Sequence, residues 1–322
     1  MTDPSELPLA ETIFTDADVD PPAKRDRIVI LGRRTAGKTV YLSVLYEKYW
    51  KSLDGLTMKA VSGQVHGDCV RVVEGLHRGN WPAATLETQH CDLEIEYKGQ
   101  RHLLVALDYA GELFHRAFVQ DIIETPETKE LVRHIDAAAA VILLIDAASA
   151  TGSDVDAAID DDFGMTQAVT RIRNWPGGKR IPVALAFTKA DENRHIIARE
   201  GGLEKFVKKR FPALARTLQR AALFQVSAVR SRVADDGSRI PRTGFRPENI
   251  EAPLLYCLRQ IDLHRELDRQ ESFNRSRKVW LEQQQRQDAN RERRYGRRIA
   301  LIIVSMFVVA ACVVALVWAY KS

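Results

Sequence analysis

The stretch RIVILGRRTAGKTVYL, Arg27–Leu42, joins a short apolar run, a glycine-bounded loop and a helix-forming segment. Its first part, Ile28–Leu31, has the branched apolar side chains of a strand buried in a parallel sheet. The next eight residues match G-x-x-x-x-G-K-[ST]: Gly32, Arg33, Arg34, Thr35, Ala36, Gly37, Lys38 and Thr39. Such a loop wraps its backbone N–H groups around the α- and β-phosphates of a nucleotide at the N-terminus of the following helix. The sequence therefore predicts a phosphate-binding loop.

Two side chains of this loop suit the charge of a triphosphate. The Lys38 ammonium can neutralise the β- and γ-phosphates, and the Thr39 hydroxyl can ligate the Mg²⁺ that bridges them. A glycine-containing turn with an ordinary surface lysine is the alternative. The apolar strand before the loop and the helical pattern TVYLSVLYEKYW after it favour the nucleotide interpretation.

Composition limits the class of protein. With 322 residues and 45% hydrophobic side chains, the chain can bury a sizeable core, which predicts one domain with extensions. The net charge of +4 is confined to 266–298, where ten Lys and Arg residues outnumber six acids. A basic face for nucleic acid is therefore not predicted for the rest of the chain.

The four cysteines are Cys69, Cys91, Cys257 and Cys312. They have no C-x-x-C spacing, which argues against a zinc site. Scattered thiols suit a reducing compartment better than a disulfide framework.

Apolar runs alternate with helical segments through the middle of the chain. Helical patterns cover 38–53 and 64–78, and two alternating runs joined by a turn at 98–100 predict a β-hairpin. Three more apolar runs predict strands at 139–146, 181–187 and 222–227. This order predicts an α/β fold, a three-layer sandwich with a mostly parallel sheet, in which ligands bind at the carboxyl ends of the strands.

One predicted strand end carries DYAG, Asp108–Gly111, which has the form D-x-x-G. An aspartate at the end of a buried strand can hold Mg²⁺ through water. Gly111 has no side chain, so its N–H can approach a γ-phosphate closely. An aspartate that only caps the next helix is the alternative.

Two later strand ends carry residues suited to a base. TKAD, Thr188–Asp191, follows one strand, and the Asp191 carboxylate can accept hydrogen bonds from the guanine N1–H and N2 amine, which adenine does not offer. The stem of Lys189 can lie over the same base. Ser227 and Ala228 end the next strand, where a backbone N–H can meet the guanine O6.

Taken in order, GRRTAGKT, DYAG, TKAD and SA resemble the motif set of the TRAFAC, or Ras-like, class of P-loop GTPases over about 27–262. Some bacterial families of membrane-associated or paired GTPases have a similar set of motifs. The resemblance implies a six-stranded Ras-like sheet, binding of GTP or GDP with Mg²⁺, slow hydrolysis, and two switch loops that order around the γ-phosphate. Lys38, Gly111 and Glu112 would be the catalytic group.

The resemblance also implies a switch I threonine that ligates Mg²⁺ together with Thr39 and Asp108. Thr85 and Thr88 both qualify, because both precede the run CDLEIEY. Thr85, which follows Trp81–Pro82, is favoured.

The sequence departs from the class at three positions. Glu112 stands where the catalytic glutamine is usual, and its negative charge would position water poorly beside a γ-phosphate, which predicts slow hydrolysis. Arg33 and Arg34 occupy positions that usually hold small residues, where they would crowd an arginine finger, supply one in cis, or remain solvated. Thr188 replaces the commoner asparagine, which weakens base recognition.

The last apolar stretch, 299–320, has 22 residues without a charge. As a helix it would be roughly 33 Å long, enough to cross the hydrocarbon core of a bilayer. RERRYGRR precedes it, and this cluster of arginines favours the cytoplasmic side. Because the N-terminus lacks a signal-peptide pattern, we expect a single-pass tail anchor with the GTPase domain in the cytoplasm.

Between the domain and this stretch, 263–298 is predicted as a basic helical stalk. Its sparse apolar positions do not sustain heptads, so a coiled-coil homodimer is the alternative to a solvated helix. Its arginines can bind anionic lipid headgroups. The acidic, proline-containing segment 1–26 is predicted to be disordered.

The sequence as a whole predicts a membrane-tethered GTP-binding protein that hydrolyses GTP slowly and acts as a switch. Its partners would be membrane lipid, a protein effector, and an exchange or activating factor. A nucleotide-binding membrane scaffold with little or no hydrolysis is the alternative, suggested by Glu112.

Overall fold

The computed structural model describes the backbone of residues 26–32, 35–83, 89–108, 111–148, 150, 155–174, 178–218 and 221–321. Within these ranges, the side chains of 89–90, 106–108, 111–112, 155–157, 288–298, 300 and 307–321 are not described. Arg33, Arg34, Thr85, Thr88 and nearly all of the predicted N-terminal tail lie outside the described residues.

Strands and helices alternate along the described chain. The strands are β1 Arg27–Gly32, β2 Leu56–Ala60, β3 Gln89–Tyr97, β4 Gln100–Asp108, β5 Ala138–Asp146, β6 Val183–Thr188, β7 Ala222–Gln225, β8 Ser231–Val233 and β9 Arg239–Pro241. The helices are α1 Lys38–Tyr49, α2 Gly63–His77, α3 Gly111–Phe118, α4 Pro126–Asp136, α5 Val155–Asn174, α6 Ala190–Arg199, α7 Leu203–Arg210, α8 Pro212–Thr217 and α9 Ala252–Lys321.

The main sheet has the order β2-β3-β4-β1-β5-β6-β7 among the described residues. The four pairs from β4 to β7 are parallel, and the pairs β2–β3 and β3–β4 are antiparallel. The prediction of an α/β fold with a mostly parallel sheet is confirmed. The expected count of six strands is wrong, because the sheet has a seventh, β2.

Strand β2 lies between the two predicted helices, in a segment to which the sequence assigned no element. Helix α1 ends at Tyr49 rather than near 53, and Asp54 and Gly55 then adopt left-handed backbone conformations that turn the chain. Leu56 and Met58 are fully buried, whereas the residues between and after them are not, as in a half-buried strand. Pairing with β3 makes β2 an edge of the sheet.

Two hydrophobic cores lie on the two faces of the sheet. Successive residues of β1 point to opposite faces, so Val29 and Leu31 join one core while Ile28 and Ile30 join the other. The first core includes side chains from α3, α4, α5, α7 and α8, and the second includes side chains from α1, α2 and the start of α9. The three predicted layers are therefore present.

The chain divides into a unit that ends at Asp262 and a second unit, Leu263–Ser322. In the first unit, the beginning of α9 is held by Leu254, Cys257 and Leu258, which are fully buried. In the second unit, the backbone of α9 is helical to Lys321, and the described apolar side chains, such as Phe273 and Trp280, are exposed.

No helix in the described part of the chain is long and apolar enough to cross a membrane. Most of the side chains of the predicted span, 299–320, lie outside the described residues: those at 299 and 301–306 are described and exposed, and those at 300 and from 307 onward are not.

Candidate functional site

The carboxyl ends of the parallel strands meet at one edge of the sheet. Gly32, the last residue of β1, pairs with Leu144 of β5, two residues before Asp146, and Asp146 in turn pairs with Thr188 of β6. The chain crosses from β4 on one side of β1 to β5 on the other, so β1 ends at a topological switch point. In open α/β sheets, ligands bind in the crevice at such a point.

The predicted phosphate loop begins and ends on glycines that no other residue replaces easily. A Cβ at Gly32 would lie 2.6 Å from the Leu144 carbonyl oxygen, which is closer than real contacts allow. Gly37 has φ +81° and stands at the N-cap of α1, a left-handed conformation that favours glycine. Thr35 also has a left-handed φ, of 74°. Close packing against β5 thus requires glycine at the start of the loop, and a left-handed backbone conformation favours glycine at its end.

Lys38 lies inside this loop rather than on the surface. It is buried, and its ammonium donates a hydrogen bond to the Gly32 carbonyl oxygen at 2.9 Å. Thr39 is half-buried on the first turn of α1. The loop therefore presents a cation and a hydroxyl at the N-terminus of a twelve-residue helix, which is an arrangement suited to anions.

A cavity of about 430 Å³ joins the phosphate loop to the ends of β6 and β7. This volume falls within the range of roughly 300–1,000 Å³ that small-molecule sites occupy. Its walls come from three parts of the chain: Thr35, Gly37, Lys38, Thr39, Val40 and Tyr41; Trp81, Pro82 and Ala83; and Thr188, Lys189, Glu192, Val226, Ala228, Val229 and Arg239. The structure therefore brings the loop together with Thr188, Lys189 and Ala228, as the sequence predicted.

Lys189 is held at the cavity by Asp146, which the sequence analysis did not single out. Lys189 has a left-handed φ of 53°, and its ammonium lies 2.7 Å from the Asp146 carboxylate. The buried Asn193 donates a hydrogen bond to the other carboxylate oxygen at 2.7 Å. Asp146 ends β5, so its place at a parallel strand end was the available signal.

Asp191 is fixed by two serines and does not line the cavity. The Ser227 hydroxyl donates to one carboxylate oxygen at 2.7 Å, and the Ser231 N–H donates to the other at 3.3 Å. Each carboxylate oxygen can accept more than one hydrogen bond, so Asp191 keeps acceptor capacity. The Ser227 N–H donates to the Glu248 carbonyl oxygen. Of the two predicted amides, Ser227 and Ala228, Ala228 is the one that lines the cavity.

The hairpin formed by β8 and β9 supplies a wall that the sequence analysis missed. Glu192 accepts hydrogen bonds from Ser231 on β8 and from Arg239 on β9, so one side chain holds both strands. The indole N–H of Trp81 donates to the Arg239 carbonyl oxygen at 2.8 Å. The hairpin thus links the TKADE segment to Trp81–Ala83, which leads toward the predicted switch I threonines. Strands of three residues leave no periodic signal in a sequence.

Only part of the predicted magnesium and catalytic group is described. Asp108 is the last residue of β4, and because Ile30 pairs with Ala106, its backbone is level with Gly32 on the neighbouring strand. Gly111 begins α3, and Glu112 follows it. Among the described residues, no group of three or more His, Cys, Asp or Glu side chains is arranged to hold a metal. Thr39, at the cavity, is the member of the predicted magnesium set whose side chain the structure describes.

Comparison with known proteins supplies no family for this chain. No model of a known protein family matches the sequence, and no curated protein matches it. Among solved structures, the chain is similar to translation elongation factor SelB from Methanococcus maripaludis in complex with the GTP analogue GppNHp, with 15% identity and a TM-score of 0.30 over 64% of this chain and 30% of that one. It is also similar to a bacterial selenocysteine-specific elongation factor, EF-Sec, with 15% identity and a TM-score of 0.34 over 74% and 28% of the two chains. The similarity therefore spans less than a third of either factor.

Proposed function

We propose that this protein binds GTP and GDP at the crevice above β1 and acts as a slow GTPase switch. The observation that carries the proposal is the cavity that joins the buried Lys38 and the glycine-bounded loop to Lys189, Thr188 and Ala228. A triphosphate and a base need these two kinds of wall at opposite ends of one crevice.

At the phosphate end, the chain's own groups would bind charge. Lys38 would exchange its contact with the Gly32 carbonyl for phosphate oxygens, which are stronger acceptors because they are charged. The N-terminus of α1 favours anions at the same place. Thr39 and Asp108, with Thr85 or Thr88, would hold Mg²⁺, which neutralises charge on the phosphates.

At the base end, guanine is the base that suits the acceptors. Ser227 and Ser231 hold the Asp191 carboxylate, and its remaining acceptor capacity would serve the N1–H and N2 amine of guanine once the base reaches beyond the cavity wall. The Ala228 N–H can donate to O6. Lys189, anchored by Asp146, would cover the base with its stem.

Thermal unfolding of the purified 322-residue chain in detergent micelles tests the nucleotide preference. A ligand at 100 times its dissociation constant stabilises the folded protein by about 2.7 kcal/mol, which for a domain of this size is roughly a 5–10 °C rise in Tm. We expect this rise with GTP or GDP and Mg²⁺, and no rise with ATP. Equal rises with ATP and GTP would reject guanine specificity, and no rise with either would reject nucleotide binding.

Hydrolysis is the finer part of the proposal, and it depends on Glu112. Phosphate release in a single turnover, measured for the parent chain and for Glu112→Gln, separates a switch from a scaffold. We expect slow release that becomes faster in Glu112→Gln, because the neutral amide removes a negative charge near the γ-phosphate. No release from either protein over hours would favour a scaffold that retains its nucleotide.

We also propose that the chain is tethered to the cytoplasmic face of a membrane by 299–320. The supporting observations are its 22 uncharged residues and the arginine cluster before them. Extraction of membranes with alkaline carbonate tests the tether. The 322-residue chain should stay with the membrane, and Val308→Lys combined with Val314→Lys should release it; retention of that variant would contradict a bilayer span.

Protein partners would bind differently to the GTP-bound and the GDP-bound forms of the protein. An effector, an exchange factor and an activating factor are the classes that a GTPase switch requires. A pull-down with the chain loaded with a non-hydrolysable GTP analogue, compared with the GDP-loaded chain, would identify an effector as a protein retained only by the first. Equal retention of every captured protein would argue against a switch.

A further inference from the structure

Two cysteines from different elements meet beside α1. Cys69 lies on α2 and Cys91 on β3, and their Sγ atoms are 4.0 Å apart. Cys69 is buried, whereas Cys91 is half-buried, so Cys91 is the more exposed residue of the pair. The two residues are 22 positions apart in the chain, so the fold and not a local motif brings their sulfurs together.

The surroundings of the pair favour a reactive sulfur. The hydrogen bond from Cys91 lowers the pKa of the Cys69 thiol, and a hydrogen bond from Ser43 acts in the same direction, while burial and Asp68 oppose them. Cys257 is the contrast within the same protein, because complete burial raises the pKa of its thiol. A thiolate is the nucleophilic form of cysteine, so Cys69 is the sulfur prepared to attack.

We propose that Cys69 and Cys91 form an oxidative modification site, at which a hydroperoxide converts the two thiols to a disulfide. The Cys69 thiolate takes up the proton of Cys91, the more exposed of the two residues, and the Cys91 sulfur then attacks the peroxide. The O–O bond breaks, and the departing alkoxide or hydroxide takes the proton from Cys69 and leaves as an alcohol or water, which gives a sulfenic acid at Cys91 and restores the Cys69 thiolate. The Cys69 thiolate then attacks that sulfur, the S–O bond breaks, and the departing hydroxide becomes water by taking a proton. The two sulfurs lose two electrons in total, and the peroxide gains them.

The disulfide would close the chain around 70–90. This segment contains Trp81–Ala83 of the cavity wall and the predicted switch I threonines Thr85 and Thr88. Cross-linking α2 to β3 would restrict this segment at both ends. Reversible disulfides in reducing compartments commonly act as redox sensors. The link to nucleotide exchange rests on the proposed function, whereas formation of the disulfide does not.

Peptide mapping by mass spectrometry after treatment with hydrogen peroxide tests the site. The protein is the 322-residue chain carrying Cys312→Ser, which removes the cysteine of the C-terminal apolar stretch. We expect a Cys69–Cys91 cross-linked peptide that disappears on reduction, with Cys257 still a thiol. Accumulation of sulfinic acid at Cys91 without a cross-link would overturn the proposal, as would oxidation of Cys257 at the same rate.

Two variants separate the roles of the sulfurs. In Cys69→Ser, the Cys91 sulfenic acid should persist and be trapped by dimedone; in Cys91→Ser, Cys69 should react at least several-fold more slowly with peroxide. If either variant fails to fold, alkylation rates of the three thiols in the parent chain serve instead, and equal rates for Cys91 and Cys257 would contradict the proposal.

GDP release from the oxidised and reduced protein measures the consequence. We expect release to be several-fold slower after oxidation and to recover on reduction. A mapped disulfide with unchanged release would support the modification site and refute its link to the nucleotide site. Failure of GDP to bind at all would count against the proposed function alone, because the cross-link is read by mass.

Discussion

The Lys38 ammonium donates a hydrogen bond to the Gly32 carbonyl oxygen, 2.9 Å away, so one side chain joins the first residue of the phosphate loop to the start of α1. Lys38 is only 4% exposed, and a buried ammonium is stable only where acceptors surround it. The Lys38 ammonium is therefore held in position by the Gly32 carbonyl, and the proposed nucleotide would meet a cation that is already placed. A site organised in advance loses less entropy on binding.

Lys38→Ala should abolish most of the affinity for GTP and GDP. Hydrogen bonds to charged groups contribute about 1.5–3 kcal/mol each, so loss of one such contact should weaken binding by roughly 10- to 150-fold. Titration with a fluorescent guanine nucleotide measures the dissociation constant. Lys51→Ala, an exposed lysine just beyond the same helix, is the matched control and should bind normally. Unchanged affinity in Lys38→Ala would show that the loop does not hold phosphate.

Asp191→Asn should move the base preference from guanine toward xanthine. The asparagine amide donates where the carboxylate accepted, and the 2-oxo group of xanthine accepts where the guanine amine donated. Competition of GTP and XTP against a labelled nucleotide measures the change, which should exceed roughly tenfold in the ratio of affinities. Asp235→Asn, exposed in the turn of the β8–β9 hairpin, should leave the ratio as it is.

Glu192→Ala should speed the release of nucleotide. Glu192 accepts hydrogen bonds from Ser231 and Arg239, so its removal loosens the attachment of both strands of the hairpin that walls the cavity. We expect a release rate that rises several-fold with little change in Tm, measured by displacement of fluorescent GDP in a stopped-flow instrument. Glu204→Ala, an exposed acid on α7, is the control. Release as slow as in the parent protein would mean that the hairpin does not close the site.

Glu200 gives a dependence of stability on pH with a definite sign. Hydrogen bonds from Lys209 at 2.6 Å and Arg210 at 2.8 Å lower the pKa of Glu200 below its ordinary value of 4.5. The stabilisation is present above that ordinary value and is lost as the pH falls through the lower, folded-state pKa. Glu200→Gln should therefore lower the Tm at pH 7, and the difference from the parent should shrink toward pH 3. A constant difference across this range would show that charge is not the cause.

Some of this structure is visible in the sequence because it is local. The loop from Gly32 to Thr39 is contiguous, and the strands β5 and β6 are buried on both faces, so their apolar runs and polar ends stand out. The α/β fold and the meeting of Lys38 with Lys189 at one edge follow from those patterns. Helix α2 was predicted within a residue at each end because its side chains repeat with helical period.

The remaining features depend on pairs that are distant in the chain. Asp146 meets Lys189 across 43 positions, and Glu192 meets Arg239 across 47. Neither pair has a spacing that a local pattern could reveal. Strand β2 was missed because its five residues follow a turn and because β3 is its one partner strand among the described residues. Such contacts can be predicted only after the order of the strands in the sheet is known.

The absence of space for a Cβ at Gly32 gives a way to disable the site without touching its charges. Leu144 blocks any side chain there at 2.6 Å, so Gly32→Ala would have to push β1 away from β5 by shifting backbone. Lys38, Thr39 and the residues proposed to bind the base would keep their side chains in that variant, while the loop would lose its close packing on β5. If Gly32→Ala and Lys38→Ala have the same phenotype, then loss of the shape of the crevice and loss of its cation have the same effect.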